Sequence, residues 1–405
     1  MVPNLTALRH GEVFAGPPIV TRAIRRKGHL RPAKVETATT PMTVTLSVIL
    51  PNYNHARFVD RALRALLAQK RAADEIIVID DGSTDDSVRI IDEVAARAPT
   101  IRVLYNENNV GVIATLQRGL EAARGKYVYF AASDDWVFPG FFTLALRRLE
   151  ANPDVGVFCG EAMLIDGQSN RPFAVRPAVR PRMSAGPIDA AEVTDLLQST
   201  DNWILTGSAV FRRECVTWAG GFDPRLSSFA DGFVARKIAL RYGFYFEPKI
   251  VASWVVFPDS VSRRTASDLK HSKYILDTIP GIIASDPGFP SWYAAAFRDR
   301  WRFAVCRLAL QADPIDRAMV LELGARSAAE KAKFEPILAL LPRQPARLVI
   351  LAWLWYRLRP TSLMALFRTM LAMRTMRLAF GFRFGRIPGM TATVPLPARP
   401  NSRPT

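Results

Sequence analysis

The sequence predicts an α/β fold: a doubly wound, mostly parallel sheet with flanking helices, followed by a helical C-terminal region. Three observations carry this expectation. Aliphatic, β-branched runs alternate with segments of helical spacing from residue 44 to residue 131; turn residues separate them; and after Trp254 helical patterning prevails to about Leu341.

Residues 44–50 form a nearly continuous aliphatic run ending at Pro51, as a strand buried on both faces reads. Asn54 is placed to cap a helix in which Phe58, Ala62, Leu63, Leu66 and Leu67 recur at helical spacing. Residues 75–80 repeat the plan as a second strand, turned by Gly82. Ser83 is the expected cap of the next helix, with Asp85 and Asp86 in its first turn, where carboxylates suit the helix dipole. Residues 101–105 read as a third strand, 112–123 as a helix closed by Gly125, and 127–131 as a fourth strand. Strand and helix in this order imply parallel pairing with helices on both faces. Beyond Asn152, residues 155–159 and 208–212 read as further strands. The Pro/Arg-rich stretch 171–187 between them is expected to be a long loop over the sheet edge. Pro342 and Pro345 close the helical region, and residues 347–382 read as two short apolar, arginine-bearing helices broken at Pro360. The expected organisation is a basic mobile arm (1–41), an α/β domain (42–265), a helical region (266–341) and a basic amphipathic tail (342–405).

Composition excludes several classes. With 49% hydrophobic and 22% charged residues in 405, the chain is too apolar for a disordered protein and can bury a sizeable core. Three distant cysteines offer neither a disulfide framework nor a Cys-x-x-Cys zinc spacing, which fits a reducing compartment. No apolar stretch reaches the length of a membrane-spanning helix, since the longest in the tail, 348–356, ends at Arg357; residues 1–41 lack the apolar run of a secretory signal. The formal charge is +17, but residues 1–41 carry +5 and residues 339–405 carry +11, leaving the other 297 residues at +1. A basic nucleic-acid-binding protein would spread its charge over the folded core, so no nucleic-acid partner is expected. In the tail, Leu363, Leu366, Phe367, Met370 and Leu371 share one helical face, which suits an anionic membrane surface or a packed partner.

In open parallel sheets the ligand lies beyond the carboxyl ends of the strands. There the sequence places Pro51-Asn52-Tyr53-Asn54, Asp80-Asp81-Gly82-Ser83 and Ser133-Asp134-Asp135. An aromatic ring can stack on a nucleobase; a carboxylate can accept from a base or a ribose hydroxyl; a second carboxylate can hold a hard divalent cation. No glycine-rich dinucleotide fingerprint or P-loop occurs at the first turn, so a diphosphate must be held otherwise. A divalent cation on Asp135 is the economical answer.

Residues 47–54 (SVILPNYN), 77–85 (IVIDDGSTD) and 133–135 (SDD), continued by 207–213 (GSAVFRR), 220–224 (GGFDP) and 230–232 (ADG), resemble the family 2 inverting glycosyltransferases of the GT-A fold. The resemblance covers roughly residues 44–263. It implies a nucleotide-diphosphate sugar donor, Mg²⁺ or Mn²⁺, a glycan or lipid-linked hydroxyl acceptor, and a peripheral place on the cytoplasmic face of the plasma membrane. By position, Pro51 and Tyr53 would line the base site with Tyr53 stacking, Asp81 would hydrogen-bond the base, Asp134 would lie near the ribose, Asp135 would bind the metal and Asp231 would be the catalytic base. Two departures stand out. Thr115-Leu-Gln117 replaces an Ala-Arg-Asn common in the family, and Phe257 stands where a His ligand often occurs, with Asp259 a substitute and Arg263 and Arg264 candidates for the diphosphate. Transfer to a polyprenyl phosphate and a binding protein without turnover are the rival readings.

Overall fold

The computed structural model describes residues 46–201, 203–257, 267–312, 314–325, 327–339, 344–360, 362, 364 and 367. The expected basic arm, Asp259, Arg263, Arg264 and most of the second tail helix lie outside the described residues.

Alternation of side chains along β1 (Leu46–Asn52) sets the architecture. Leu46, Val48 and Leu50 point to one face with Ile76 and Val78 of β2 (Glu75–Asp80), and α1 (Ala56–Leu67), α2 (Ser87–Ala95) and α4 (Phe141–Ala151) cover them with Val59, Leu63, Ile91 and Phe142. Ile49, Ile77 and Ile79 point to the other, under Leu116 and Leu120 of α3 (Val112–Ala122). Burying each such side chain contributes about 1.5–3 kcal/mol. Gly119 lets α3 close on the sheet: a Cβ there would run into Ile49 and Ile79.

Nine strands among the described residues form one sheet, in the order β3 (Ile101–Tyr105), β2, β1, β4 (Tyr127–Phe130), β8 (Ala209–Arg212), β5 (Val157–Asp166), β9 (Phe244–Val256), β7 (Gly186–Ile188), with β6 (Pro172–Arg176) beside β5. The first four strands pair in parallel, as expected. The other half is mixed: β8 runs antiparallel to both neighbours, β6 to β5 and β7 to β9, while β5 and β9 are parallel. "Mostly parallel" therefore holds only for the N-terminal half. The stretch 171–187 is not a plain loop, because β6 lies near its start and pairs with β5, and β7 begins at its end and pairs with β9.

Caps also differ from expectation. Asn54 has φ 53° and its Oδ1 accepts from the amides of Thr84 and Asp85, so it clamps the neighbouring turn and does not cap its own helix. Ser83 donates to Asp80 and accepts from the Asn54 amide, while Asp86 occupies the N-cap of α2. The resulting lattice ties the ends of β1 and β2 together.

The second layer on the Ile49 face holds α5 (Ala190–Ser199), α6 (Arg213–Trp218), α7 (Ala230–Tyr242) and α8 (Leu269–Ser285). The helical region continues with α9 (Tyr293–Gln311), α10 (Arg317–Gly324) and α11 (Ala328–Ala339). The first helix of the expected tail, α12 (Gln344–Leu358), packs onto this region through Ile350, Leu354 and Leu358, and Arg357 pairs with Glu330 at 2.7 Å. No helix among the described residues is long and apolar enough to cross a membrane.

Candidate active site

Between β1 and β4 the chain order reverses, since β1 is flanked by β2 on one side and β4 on the other. The crevice beyond this point is where an open α/β sheet receives a ligand. The three predicted strand-end segments meet there.

Tyr53 is 42% exposed just past β1, a ring free to take a flat partner. Pro51 belongs to β1 and is half-buried. Asp80 and Asp81 are both buried, with different duties. Asp80 accepts from Asn52 Nδ2 (2.8 Å), the Ser83 amide (2.8 Å) and Ser83 Oγ (2.7 Å), which makes it the keystone of the turn. Asp81 accepts from Asn106 Nδ2 (2.6 Å) and the amides of Val110 (3.0 Å) and Gly111 (2.9 Å). Its carboxylate thus holds the loop after β3, and of about four acceptor positions three are taken.

The acidic pair is built by β9. Val255 N–H donates to Asp135 Oδ1 at 2.6 Å, and Ser253 and Trp136 exchange backbone and hydroxyl bonds of 2.8–3.0 Å, so the loop after β4 is laid along the strand. Burial pushes the Asp135 carboxyl well above the usual carboxylate range, and the charge of Asp134 pushes it further; the Val255 amide and Arg61 oppose. Asp134 is raised too, by burial, against His55 and Arg61. Asp135 therefore resists ionising through burial and beside Asp134, and Asp134 through burial.

Sequence reasoning missed the pair's surroundings. Arg61 of α1 donates to the Asp134 carbonyl (2.9 Å) and lies over the Trp136 ring, 4.0 Å from its centroid. His55, at the N-cap of α1, has its Nδ1 2.7 Å from Ser133 Oγ. Phe257 lies against Phe58, with ring centroids 5.2 Å apart and Arg57 5.6 Å above it. Gln117 accepts from the Phe222 amide at 2.9 Å and so anchors the Gly220-Gly221-Phe222 turn to α3.

Asp231 sits in the first turn of α7. It is exposed; Thr206 Oγ1 donates to its Oδ2 at 3.0 Å and the Gly232 amide to its Oδ1 at 2.6 Å. The 3-10 turn Thr206–Ser208 reaches both acids. Thr206 holds Asp231, while the Gly207 Cα faces Asp135, where an added Cβ would lie 3.9 Å from Oδ2; Tyr129 Oη fixes this turn through the Gly207 carbonyl at 2.9 Å. Thr206 stands in an ordinary Leu-Thr-Gly-Ser run, which gives no signal of this role. Just before α7, Ser227 has φ 49° and ψ −131°, a conformation costly for a residue with a Cβ.

Residues 47–191 match the family model Glycosyl transferase family 2. The chain carries a family 2 glycosyltransferase domain. Among curated relatives, an uncharacterized glycosyltransferase of Escherichia coli K12, YibD, is 35% identical over 179 residues, covering 44% of this chain and 48% of that protein. An uncharacterized glycosyltransferase of Nostoc, alr2836, is 31% identical over 193 residues, covering 47% and 58%. An uncharacterized Mycobacterium tuberculosis protein, MT1568, is 31% identical over 214 residues, covering 51% and 66%. The matched part thus spans between about half and two thirds of these relatives. The crystal structure of S. aureus TarS 1–349 in complex with UDP-GlcNAc superposes with a TM-score of 0.52 at 15% identity over 77% of this chain and 91% of that one. At that identity the likeness shows the fold, which is GT-A. Placed on this glycosyltransferase domain, the strand-end acids and the Tyr53 ring lie within the matched residues, and Asp231 lies beyond them.

Proposed function

We propose that the protein transfers a sugar from a nucleotide-diphosphate donor to a hydroxyl acceptor by a single inverting displacement. The observation that carries this is the turn Thr206–Ser208, which bonds an exposed carboxylate, Asp231, and passes beside a partly buried acidic pair, Asp134 and Asp135.

In this reading Asp231 is the general base. An acceptor hydroxyl is a weak nucleophile until a carboxylate takes its proton. Thr206 and the Gly232 amide bond Asp231 on both oxygens and so fix the carboxylate plane. A base on the face opposite the leaving group gives one displacement and inversion. Tyr53 stacks on the donor base, Pro51 lines its edge, Asp81 offers its last acceptor position, and Asp134 lies near the ribose; Arg263 is the proposed diphosphate contact.

Asp135 with Asp134 fits a hard divalent cation, Mg²⁺ or Mn²⁺. Two partly buried carboxylates whose ionisation is penalised would be relieved by such an ion, which binds through one or two carboxylates plus phosphate oxygens; no group of three His, Cys, Asp or Glu donors occurs among the described residues. When bound, the ion supplies charge stabilisation to the departing nucleoside diphosphate. A role in cell-surface polysaccharide or glycolipid synthesis, at the inner face of the plasma membrane, accords with the eleven arginines and no acids of residues 339–405.

The test is nucleoside diphosphate release from a panel of UDP-, GDP- and dTDP-sugars with Mn²⁺. Release that depends on Mn²⁺ and disappears in Asp135→Ala is expected; equal release in excess chelator would remove the metal from the reading. Binding to anionic liposomes that is lost when residues 362–405 are deleted tests the location.

A further inference from the structure

Behind Asp231 lies a buried ionic cluster joined to it by α7. Arg236 follows Asp231 by five residues, and its guanidinium tucks against Gly232, where a Cβ would run into Nη1. The same group lies over the Phe229 ring, 4.9 Å from the centroid, and pairs with Asp201 Oδ1 at 3.7 Å. Asp201 Oδ2 in turn accepts from Tyr293 Oη (3.0 Å) and Arg300 Nη1 (3.2 Å), both on α9. Arg300 spends its other donors on the carbonyls of Leu197, Gln198 and Pro360, at 2.6, 3.1 and 3.0 Å. Side chains of the three charged residues are only 11–15% exposed.

Two guanidinium groups face one carboxylate, so the cluster carries a net positive charge. Burial opposes the Arg236 charge, yet Tyr293, Asp201 and Asp231 together raise its pKa above the ordinary value. Asp231 is the carboxylate at the open end of this arrangement. On its remaining sides it meets the hydroxyl of Thr206, with no opposing charge in contact among the described residues.

We infer that Arg236, braced by Asp201, Arg300 and Tyr293, is a positioning residue that sets a fixed positive charge behind the Asp231 carboxylate and makes its aim depend on α9. The inference rests on the reading of Asp231 as the base. It assigns a purpose to Gly232, whose missing side chain admits the guanidinium to the helix start, and to the C-terminal helices, which hold the far end of the cluster through Arg300.

The experiment compares Arg236→Gln, Arg236→Lys and Asp231→Asn in the full chain, using whichever sugar nucleotide of the panel wild type turns over fastest. Expected are a kcat about 10-fold or more lower in Arg236→Gln, a donor KM within about twofold of wild type, and partial recovery in Arg236→Lys, the pattern of a group acting mainly in the transition state. If Arg236→Gln does not fold, the lysine variant alone decides, with kcat about threefold or more lower at unchanged KM as the supporting result. A kcat unchanged in the folded arginine variants while Asp231→Asn is inactive overturns the inference and leaves the base assignment standing. Full turnover in Asp231→Asn overturns the base assignment, and the inference falls with it.

Discussion

Two partly buried acidic sites in this molecule are opposites. Asp201 lies between two arginines and a tyrosine hydroxyl, and although burial alone would raise its carboxyl, Arg236 and Arg300 hold it below the usual range. Asp134 and Asp135 are also partly buried, but both are raised, by burial first and, at Asp135, by the charge of Asp134 as well. At the first site the counter-charge of the carboxylate is complete within the protein. At the second, Arg61 and His55 oppose the effect of burial without cancelling it, and both carboxyls stay raised. Burial of an acid is thus no mark of function by itself; what distinguishes the two is whether the counter-charge the fold supplies is sufficient.

The largest expected effect separates chemistry from both sites: Asp231→Asn should lower turnover about 10²-fold to 10⁴-fold with nucleoside diphosphate binding retained, as checked by kinetics alongside calorimetry. Next, breaking the complete site should be costly for the fold. Asp201→Ala leaves two buried guanidinium groups without their anion and is expected to lower stability by about 3 kcal/mol or more, read from urea unfolding. The strained site should behave in the opposite way. Asp135→Asn keeps an acceptor for the Val255 amide and removes a penalised charge, so the metal-free variant should melt about 2 °C or more above wild type near neutral pH.

The signs with pH also oppose. A carboxyl raised on folding is penalised above its folded pKa and unpenalised below its unfolded pKa near 4. The advantage of Asp135→Asn should therefore shrink as pH falls from neutral toward about 4. Asp201 is lowered on folding, so its stabilisation is complete above its unfolded pKa and is lost as pH falls through the folded one. The deficit of Asp201→Asn should persist to about pH 4 and fade only below it, the smallest of these effects and measurable by melting curves across pH.

The parallel half of the sheet was legible because its strands are long aliphatic runs separated by Asn, Asp, Gly and Ser, and the strand-end acids were legible because topology fixes where such ends meet. What stayed hidden was made by distance along the chain. Asp135 is held by Val255, 120 residues away, and Arg300 reaches Asp201 across 99 residues, so no local pattern announces either. β6 and β7 were missed because strands of five and three residues rich in Pro, Gly and Arg carry no alternation of their own; pairing with β5 and β9 makes them strands. Asn54 and Ser83 were assigned to their own helices because local spacing favours it, whereas the neighbouring turn supplies the better partners.

The central claim is that the acid pair after β4 is a cation and diphosphate site while the Asp201 cluster takes no part in donor binding. Calorimetric titration of UDP and GDP with Mn²⁺ into wild type, Asp135→Asn and Asp201→Asn tests it most directly. The account predicts Mn²⁺-dependent binding of at least one nucleotide in wild type and in folded Asp201→Asn, and its loss in Asp135→Asn. Undiminished Mn²⁺-dependent binding in Asp135→Asn would contradict it.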